Sequence, residues 1–325
     1  MPSGILVLGE ATEAGKLNPV VPELIAIGTR LGGPVTCAIL GSGIDGLGAD
    51  CVAAGASKVI IVDDPLLAEY QGDAYAPVAE RLCKETDPSV VLLGQTMVGR
   101  DLAPRLAQRL GTAAAMDCMG FEMNGDKLVA ERPCYGGSAR ARYTINGTPQ
   151  IATVRAKAQE PLVPDPSRTG EITKQAAGIT ADAIRTRVVN RRKEKSEGVR
   201  LEDAKVVVSG GRGLGGPEGF LPLEELAGVL GGAVGASRAV CDLGWYPVAA
   251  QVGLTGKVVT PDLYIAVGIS GASQHMAGIS SVKNIVSINK DAEASIFKAS
   301  RFAVVGDWKE IVAAFTEEAR KLKAS

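Results

Sequence analysis

Short runs of Val, Ile and Leu alternate with helix-length amphipathic stretches, and this rhythm leaves few folds open to the chain. Ile5 to Leu8, Val35 to Leu40, Lys58 to Val62 and Val90 to Leu93 read as strands. Between them, Pro19 to Leu31, Leu47 to Ala54 and Ala74 to Glu85 read as helices, the first with Val20, Leu24, Ile27 and Leu31 at helical spacing. Strands separated by helices pair in parallel through right-handed crossovers, so the pattern predicts an α/β fold. The 325 residues exceed one ordinary core and suit two domains. Residues 1–190 are expected as an N-terminal α/β domain without its own cofactor, and 191–325 as a second α/β domain.

Past Gly111 the rhythm changes. Lys127 to Arg132, Ser138 to Ile145 and Ile151 to Val154 read as strands broken by the turn signals Asn124-Gly125-Asp126 and Asn146-Gly147. They are expected to extend the first sheet in antiparallel fashion. The loops after Gly41 and Gly94 lack a Lys-Ser/Thr phosphate signature. Between Arg155 and Lys205, Pro161, Pro164 and Pro166 suggest an extended seam. The basic run Arg185 to Lys195 reads as a solvated linker face.

A net charge of −1 gives no global field for nucleic acid. No apolar run approaches the roughly 20 residues of a membrane span. Met1 to Glu10 lack the basic start and apolar core of a signal peptide, so a cytoplasmic location is expected. The six cysteines have no C-x-x-C spacing and there is one histidine, which argues against a zinc or iron–sulfur site.

The second half carries the chemistry. Val206 to Ser209 runs into Gly210-Gly211-Arg212-Gly213-Leu214-Gly215-Gly216, a G-x-G-x-x-G match after a strand. Pro217-Glu218-Gly219 separates these glycines from the next helix, and the ribose-binding acid expected about 20 residues on is missing. An NADP-dependent oxidoreductase using Gly211 to Gly216 and Arg238 is therefore the alternative reading. A regulatory module holding AMP or ADP is a third. Further polar loops follow at 236–238, 251–256, 268–275 and 289–291, the third of them holding His275, the chain's only histidine. Five such loops at one sheet edge suit an extended ligand.

Ser-Gly-Gly-Arg-Gly-Leu at 209–214, Gly-Ala-Ser-Arg at 235–238 and Gln-Val-Gly-x-Thr-Gly-Lys at 251–257 resemble the electron transfer flavoprotein alpha subunit. So do Tyr-Ile-Ala-Val-Gly-Ile-Ser-Gly-Ala-x-Gln-His at 264–275, Ile-Asn-Lys-Asp at 288–291 and Asp307. The resemblance implies two doubly wound, mainly parallel sheets, the second a Rossmann-like FAD-binding domain. It also implies a heterodimer with a beta subunit, in which residues 1–190 contact that subunit. The function implied is an electron carrier, not a stand-alone enzyme. It would relay electrons from flavin dehydrogenases of the acyl-CoA dehydrogenase type to a quinone reductase or other acceptor, or serve a bifurcating two-flavin complex.

Carried over residue by residue, Arg212 would meet the FAD pyrophosphate, and Ser237 a phosphate or nearby hydroxyl. Arg238 would lie against the isoalloxazine ring. Gln251 and Thr255 would line the flavin edge, Thr255 donating toward N5. Gly268 opens the loop whose Ser270 and Gln274 fall in the pyrophosphate and ribityl region. His275 would contact the pyrimidine O2/N1 end, and Asn289 and Asp307 would hold the adenosine half. The family usually has a glutamine where this chain has Leu254. A cation near N1 and O2 favours reduction, and Arg238 and His275 are expected to supply it. One charge at about 4 Å in an effective dielectric of about 20 is worth roughly 4 kcal/mol.

Overall fold

A computed structural model describes residues 4–137, 139–190 and 199–324. Arg191, Arg192, Lys193 and Lys195 of the basic run, and Glu197 after it, lie outside the described residues. The chain divides into two compact units, Met1–Pro133 with Arg140–Arg192, and Cys134–Ala139 with Lys193–Ser325.

The first unit begins β1 (Ile5–Gly9), α1 (Val20–Arg30), β2 (Val35–Gly41), α2 (Leu47–Ala53), β3 (Lys58–Asp63), α3 (Gly72–Thr86), β4 (Val90–Gly94), α4 (Met97–Arg109) and β5 (Ala114–Cys118). After β6 (Gly120–Asn124), β7 (Lys127–Cys134) and β8 (Ala139–Thr144) come β9 (Gln150–Val154) and β10 (Glu171–Lys174). Seven strands form one parallel sheet in the order β10-β3-β2-β1-β4-β9-β5. Helices α1 and α2 bury Leu24, Ile25 and Cys51 against one face, and α3 and α4 bury Leu82 and Leu106 against the other. β1 and β4 are buried along their whole length, which is why they read as continuous apolar runs.

Two details differ from the sequence reading. Ile151 to Val154 does not extend the sheet in antiparallel fashion; it belongs to β9, which lies parallel between β4 and β5. All five β9 residues are buried, and a strand covered on both faces has no alternation to betray its direction. The remaining strands form a separate three-stranded sheet, β6-β7-β8, with β6 and β7 antiparallel. Its turn is the Asn-Gly-Asp signal, Asn124 opposing Lys127 with Gly125 at φ 64°.

The second unit runs β11 (Val206–Gly210), α5 (Phe220–Leu230), β12 (Ala233–Ala236), α6 (Arg238–Asp242), β13 (Leu263–Val267), α7 (Ser273–Gly278), β14 (Ile285–Asn289), β15 (Phe302–Val305) and α8 (Trp308–Ala324). Its five strands are parallel in the order β12-β11-β13-β14-β15. Leu223 and Leu226 of α5, Val240 of α6 and Val312 of α8 pack on one face; Val252, Ile269, Ile279 and Ile296 close the other. The chain leaves β11 for β12 on one side and then returns to β13 on the other. The strand order therefore reverses between β11 and β13, where open α/β sheets form their ligand crevice.

Candidate functional site

The glycine loop after β11 and the loop after β13 meet at that reversal. Gly211 N–H donates to the Val267 carbonyl at 2.8 Å, and Gly213 N–H to the Gly268 carbonyl at 3.0 Å. A Cβ on Gly211 would lie 2.3 Å from the Gly268 oxygen, and one on Gly213 would lie 2.8 Å from Gly268 Cα. Gly268 itself sits at φ +65°. These glycines let two backbones press together at the sheet edge. Arg212 stands exposed on this turn and makes no ion pair with any described residue.

The stretch is not a dinucleotide fingerprint. After Gly216 the chain makes a 3-10 turn, Pro217–Gly219, before α5 starts at Phe220. The last glycine is thus outside the helix, which removes the support for the nicotinamide alternative.

The remaining loops join in sequence. Ser237 N–H donates to the Gly210 carbonyl at 2.9 Å, placing the start of α6 beside the glycine turn. Arg238 points along α6, its Nε 3.2 Å from Asp242 Oδ2, with 65% of the side chain exposed. Val252 N–H donates to the Ala236 carbonyl at 2.9 Å, and Gln251 Nε2 donates to Thr255 Oγ1 at 3.0 Å. Leu254 turns its side chain to solvent while its N–H donates to the Gln274 carbonyl at 2.7 Å. The exposed departure from the family pattern is thus tied in through its backbone alone. Ser270 and Gln274 are exposed, and the Ser270 carbonyl accepts from Ile296 N–H at 3.0 Å.

Asn289 and Asp307 are already engaged. Asn289 Nδ2 donates to the Ile269 carbonyl at 3.0 Å and its Oδ1 accepts from Asp291 N–H at 3.1 Å. Asp307 accepts from Lys309 N–H at 3.0 Å at the start of α8 and pairs with Lys290 Nζ at 3.1 Å. The Lys309 N–H and Lys290 hold its carboxyl below the usual range. Both residues stitch neighbouring loops, so each loop in the ring holds the next.

His275 corrects one expectation. It is 6% exposed, with Nε2 2.9 Å from the hydroxyl of Tyr264, a fully buried residue of β13. Burial lowers the imidazole pKa to about 4. An imidazole so shifted is uncharged at neutral pH, which counts against the cationic role expected of it. Tyr264 is the residue sequence reasoning missed. A tyrosine in a strand buried on both faces needs a partner for its hydroxyl, and that was the available signal.

Residues 5–179 match the family model described as the electron transfer flavoprotein domain, and residues 200–280 the one described as the electron transfer flavoprotein FAD-binding domain. The chain is 43% identical to an electron transfer flavoprotein subunit alpha of Thermoanaerobacterium thermosaccharolyticum, covering 95% of this chain and 96% of the relative. Identity is 42% to the subunit alpha of Bacillus subtilis, over 98% of each chain. A protein FixB of Clostridium saccharobutylicum is 40% identical over 98% of this chain and 97% of its own.

Proposed function

The chain belongs to the electron transfer flavoprotein alpha subunits, and from that membership we propose that it is the FAD-holding half of a heterodimer with a beta subunit. Its cofactor is FAD. As a relay, it takes electrons from flavin dehydrogenases of the acyl-CoA dehydrogenase type and passes them to a quinone reductase. The observation that carries this reading is the continuous ring of loops at the reversal point of the second sheet, with Arg212 on it making no ion pair among the described residues.

The residues fit the group on two counts. Arg212 and Gly213 are exposed on the glycine turn, where an anionic group can meet a guanidinium. His275 Nδ1 is a buried polar atom with no hydrogen-bond partner among the described residues. FAD, when bound, supplies one- and two-electron chemistry.

Arg212 would hold the pyrophosphate through charge-assisted hydrogen bonds, with Ser237 and the 268–274 loop alongside. Arg238 would face the ring, since its exposed link to Asp242 is worth little and releases readily. Thr255 Oγ1 already accepts from Gln251 Nε2, which leaves its own O–H to donate toward the cofactor. Asn289 and Asp307 would serve the adenosine half by fixing the loops around it. Transfer of electrons requires no acid, base or nucleophile from the chain.

The test is a flavin and nucleotide count on the heterodimer purified with its natural partner. One FAD and no nicotinamide, lost preferentially on damage to residues 200–280, supports the reading. Two FAD per heterodimer would replace the simple relay with a bifurcating complex, and a flavin-free protein would overturn both.

A further inference from the structure

The loop that runs from Gln251 to Lys257 closes on itself. Lys257 N–H donates to the Gln251 carbonyl at 2.7 Å, and Gly253 N–H donates back to the Lys257 carbonyl at 3.1 Å. Gln251 is also pinned from outside. Its N–H donates to the Val248 carbonyl at 2.9 Å, and it forms a parallel bridge with Ala236, the last residue of β12. Lys257 Nζ meets Glu202 Oε1 at 3.0 Å, which ties the closing residue to the segment leading into β11. The backbone that carries Gln251 is therefore held from several sides.

Its side chain is held as well. Gln251 is 7% exposed, while Thr255, four residues on, is exposed. Gly256 leaves the room the glutamine needs: a Cβ there would lie 2.4 Å from the Gln251 carbonyl oxygen and 2.9 Å from its Cγ. Folded into that space, Gln251 Nε2 donates to Thr255 Oγ1 at 3.0 Å. A buried amide thus grips an exposed hydroxyl. A threonine hydroxyl turns about its C–O bond until a partner claims one of its lone pairs. With the amide N–H on one of them, the Thr255 proton is left to point away from Gln251. Ordering that rotor in advance removes a cost the ligand would otherwise meet on binding.

We propose that Gln251 is a positioning residue that acts on the cofactor through Thr255: it makes no contact with the flavin and sets the direction of the hydroxyl that does. The proposal rests on the FAD reading above, in which Thr255 O–H donates to the cofactor. It deepens that reading by replacing two side chains at the flavin edge with one side chain and its support.

The test is a double-mutant cycle on the heterodimer loaded with FAD carrying nitrogen-15 at N5, read by the N5 chemical shift and the midpoint potential. Thr255→Val and Gln251→Met should move both readouts in the same direction, Gln251→Met by no more than Thr255→Val. Combined, the two should give the values of Thr255→Val alone, because a support has no effect once what it supports is gone. Thr255→Ser keeps the hydroxyl and should return the wild-type values, with Gln251→Met effective again in its background. Effects that add would make Gln251 an independent flavin contact and overturn the proposal. So would wild-type values in Gln251→Met, or a Thr255→Val that moves neither readout. If Gln251→Met does not fold by circular dichroism, Gln251→Asn, an amide too short to reach Thr255, takes its place in the same cycle. A wild-type heterodimer that retains no flavin overturns the FAD reading and this proposal with it, whereas additive effects in flavin-loaded protein overturn the positioning role alone.

Discussion

Both units build a parallel sheet whose strand order reverses near its middle, and they treat the resulting crevice in opposite ways. In the first unit the reversal lies between β1 and β4, and Glu10 from the end of β1 fills it, accepting from Thr96 Oγ1 at 2.6 Å. The neighbouring loop after β2 is occupied as well: Asp63 accepts from the N–H groups of Gly43, Ile44 and Asp45 at 2.8, 2.8 and 3.2 Å. In the second unit the matching loops are held by the carbonyls of Val267 and Gly268, and Arg212 pairs with no carboxylate among the described residues. Equal topology therefore does not make equal sites. A crevice whose donors are satisfied by the chain's own carboxylates has little left for an anionic ligand.

The largest expected effect tests the filled crevice. Burial raises the pKa of Glu10 from 4.5 to about 7, with the Thr96 hydrogen bond opposing it. Glu23, 6% exposed on α1, is raised to about 7 by burial against the pull of the Lys157 N–H. Both groups bind a proton more tightly folded than unfolded. Stability is then full below pH 4.5 and falls as pH rises through 7, by up to about 3 kcal/mol for each. Glu10→Gln with Glu23→Gln should flatten the dependence of the urea midpoint on pH between 5 and 8. A profile as steep as wild type would mean that these carboxyls are not the buried acids of the first unit.

The open crevice is tested next. Arg212→Ala should weaken FAD retention by roughly 10- to 100-fold, the worth of a charge-assisted hydrogen bond of about 1.5–3 kcal/mol, with little change in midpoint potential. Equilibrium dialysis and a redox titration separate the two quantities, and the reverse pattern would move Arg212 from phosphate to ring. Arg238→Ala should leave FAD bound and lower its potential by tens of millivolts, well under the ~170 mV that a roughly 4 kcal/mol interaction would allow. An unchanged titration curve would remove Arg238 from the ring. The smallest effect is expected of Leu254→Gln, within about 0.5 kcal/mol in stability, because that side chain is 66% exposed and its N–H is what binds Gln274.

Much of the architecture could be read from the chain because the strands and helices differ in period. α1 spans Val20–Arg30 where helical spacing of Val20, Leu24 and Ile27 predicts it, and α5 spans Phe220–Leu230. Residues 150–154 carry no such signal of direction, since all are buried. β10 at the sheet edge, Glu171–Lys174, is short and mostly exposed, so nothing in its pattern marks it as a strand. The loops that converge in the second unit are legible as Gly/Ser/Asn clusters after strands. What they hold on to is not. Tyr264 and His275 meet across 11 residues, and Asn289 reaches Ile269 across 20. Side-chain partnerships of this kind depend on strand order, which local sequence does not encode.

The backbone-to-backbone seam at Gly211, Gly213 and Gly268 has a practical consequence for anyone dissecting the cofactor's grip. A methyl group at any of the three would have to pry the turns apart before a ligand arrived. A flavin-free protein obtained that way would report a collapsed scaffold instead of a missing contact, so affinity is better mapped at Arg212 and Ser237, where a side chain can be trimmed without moving the frame.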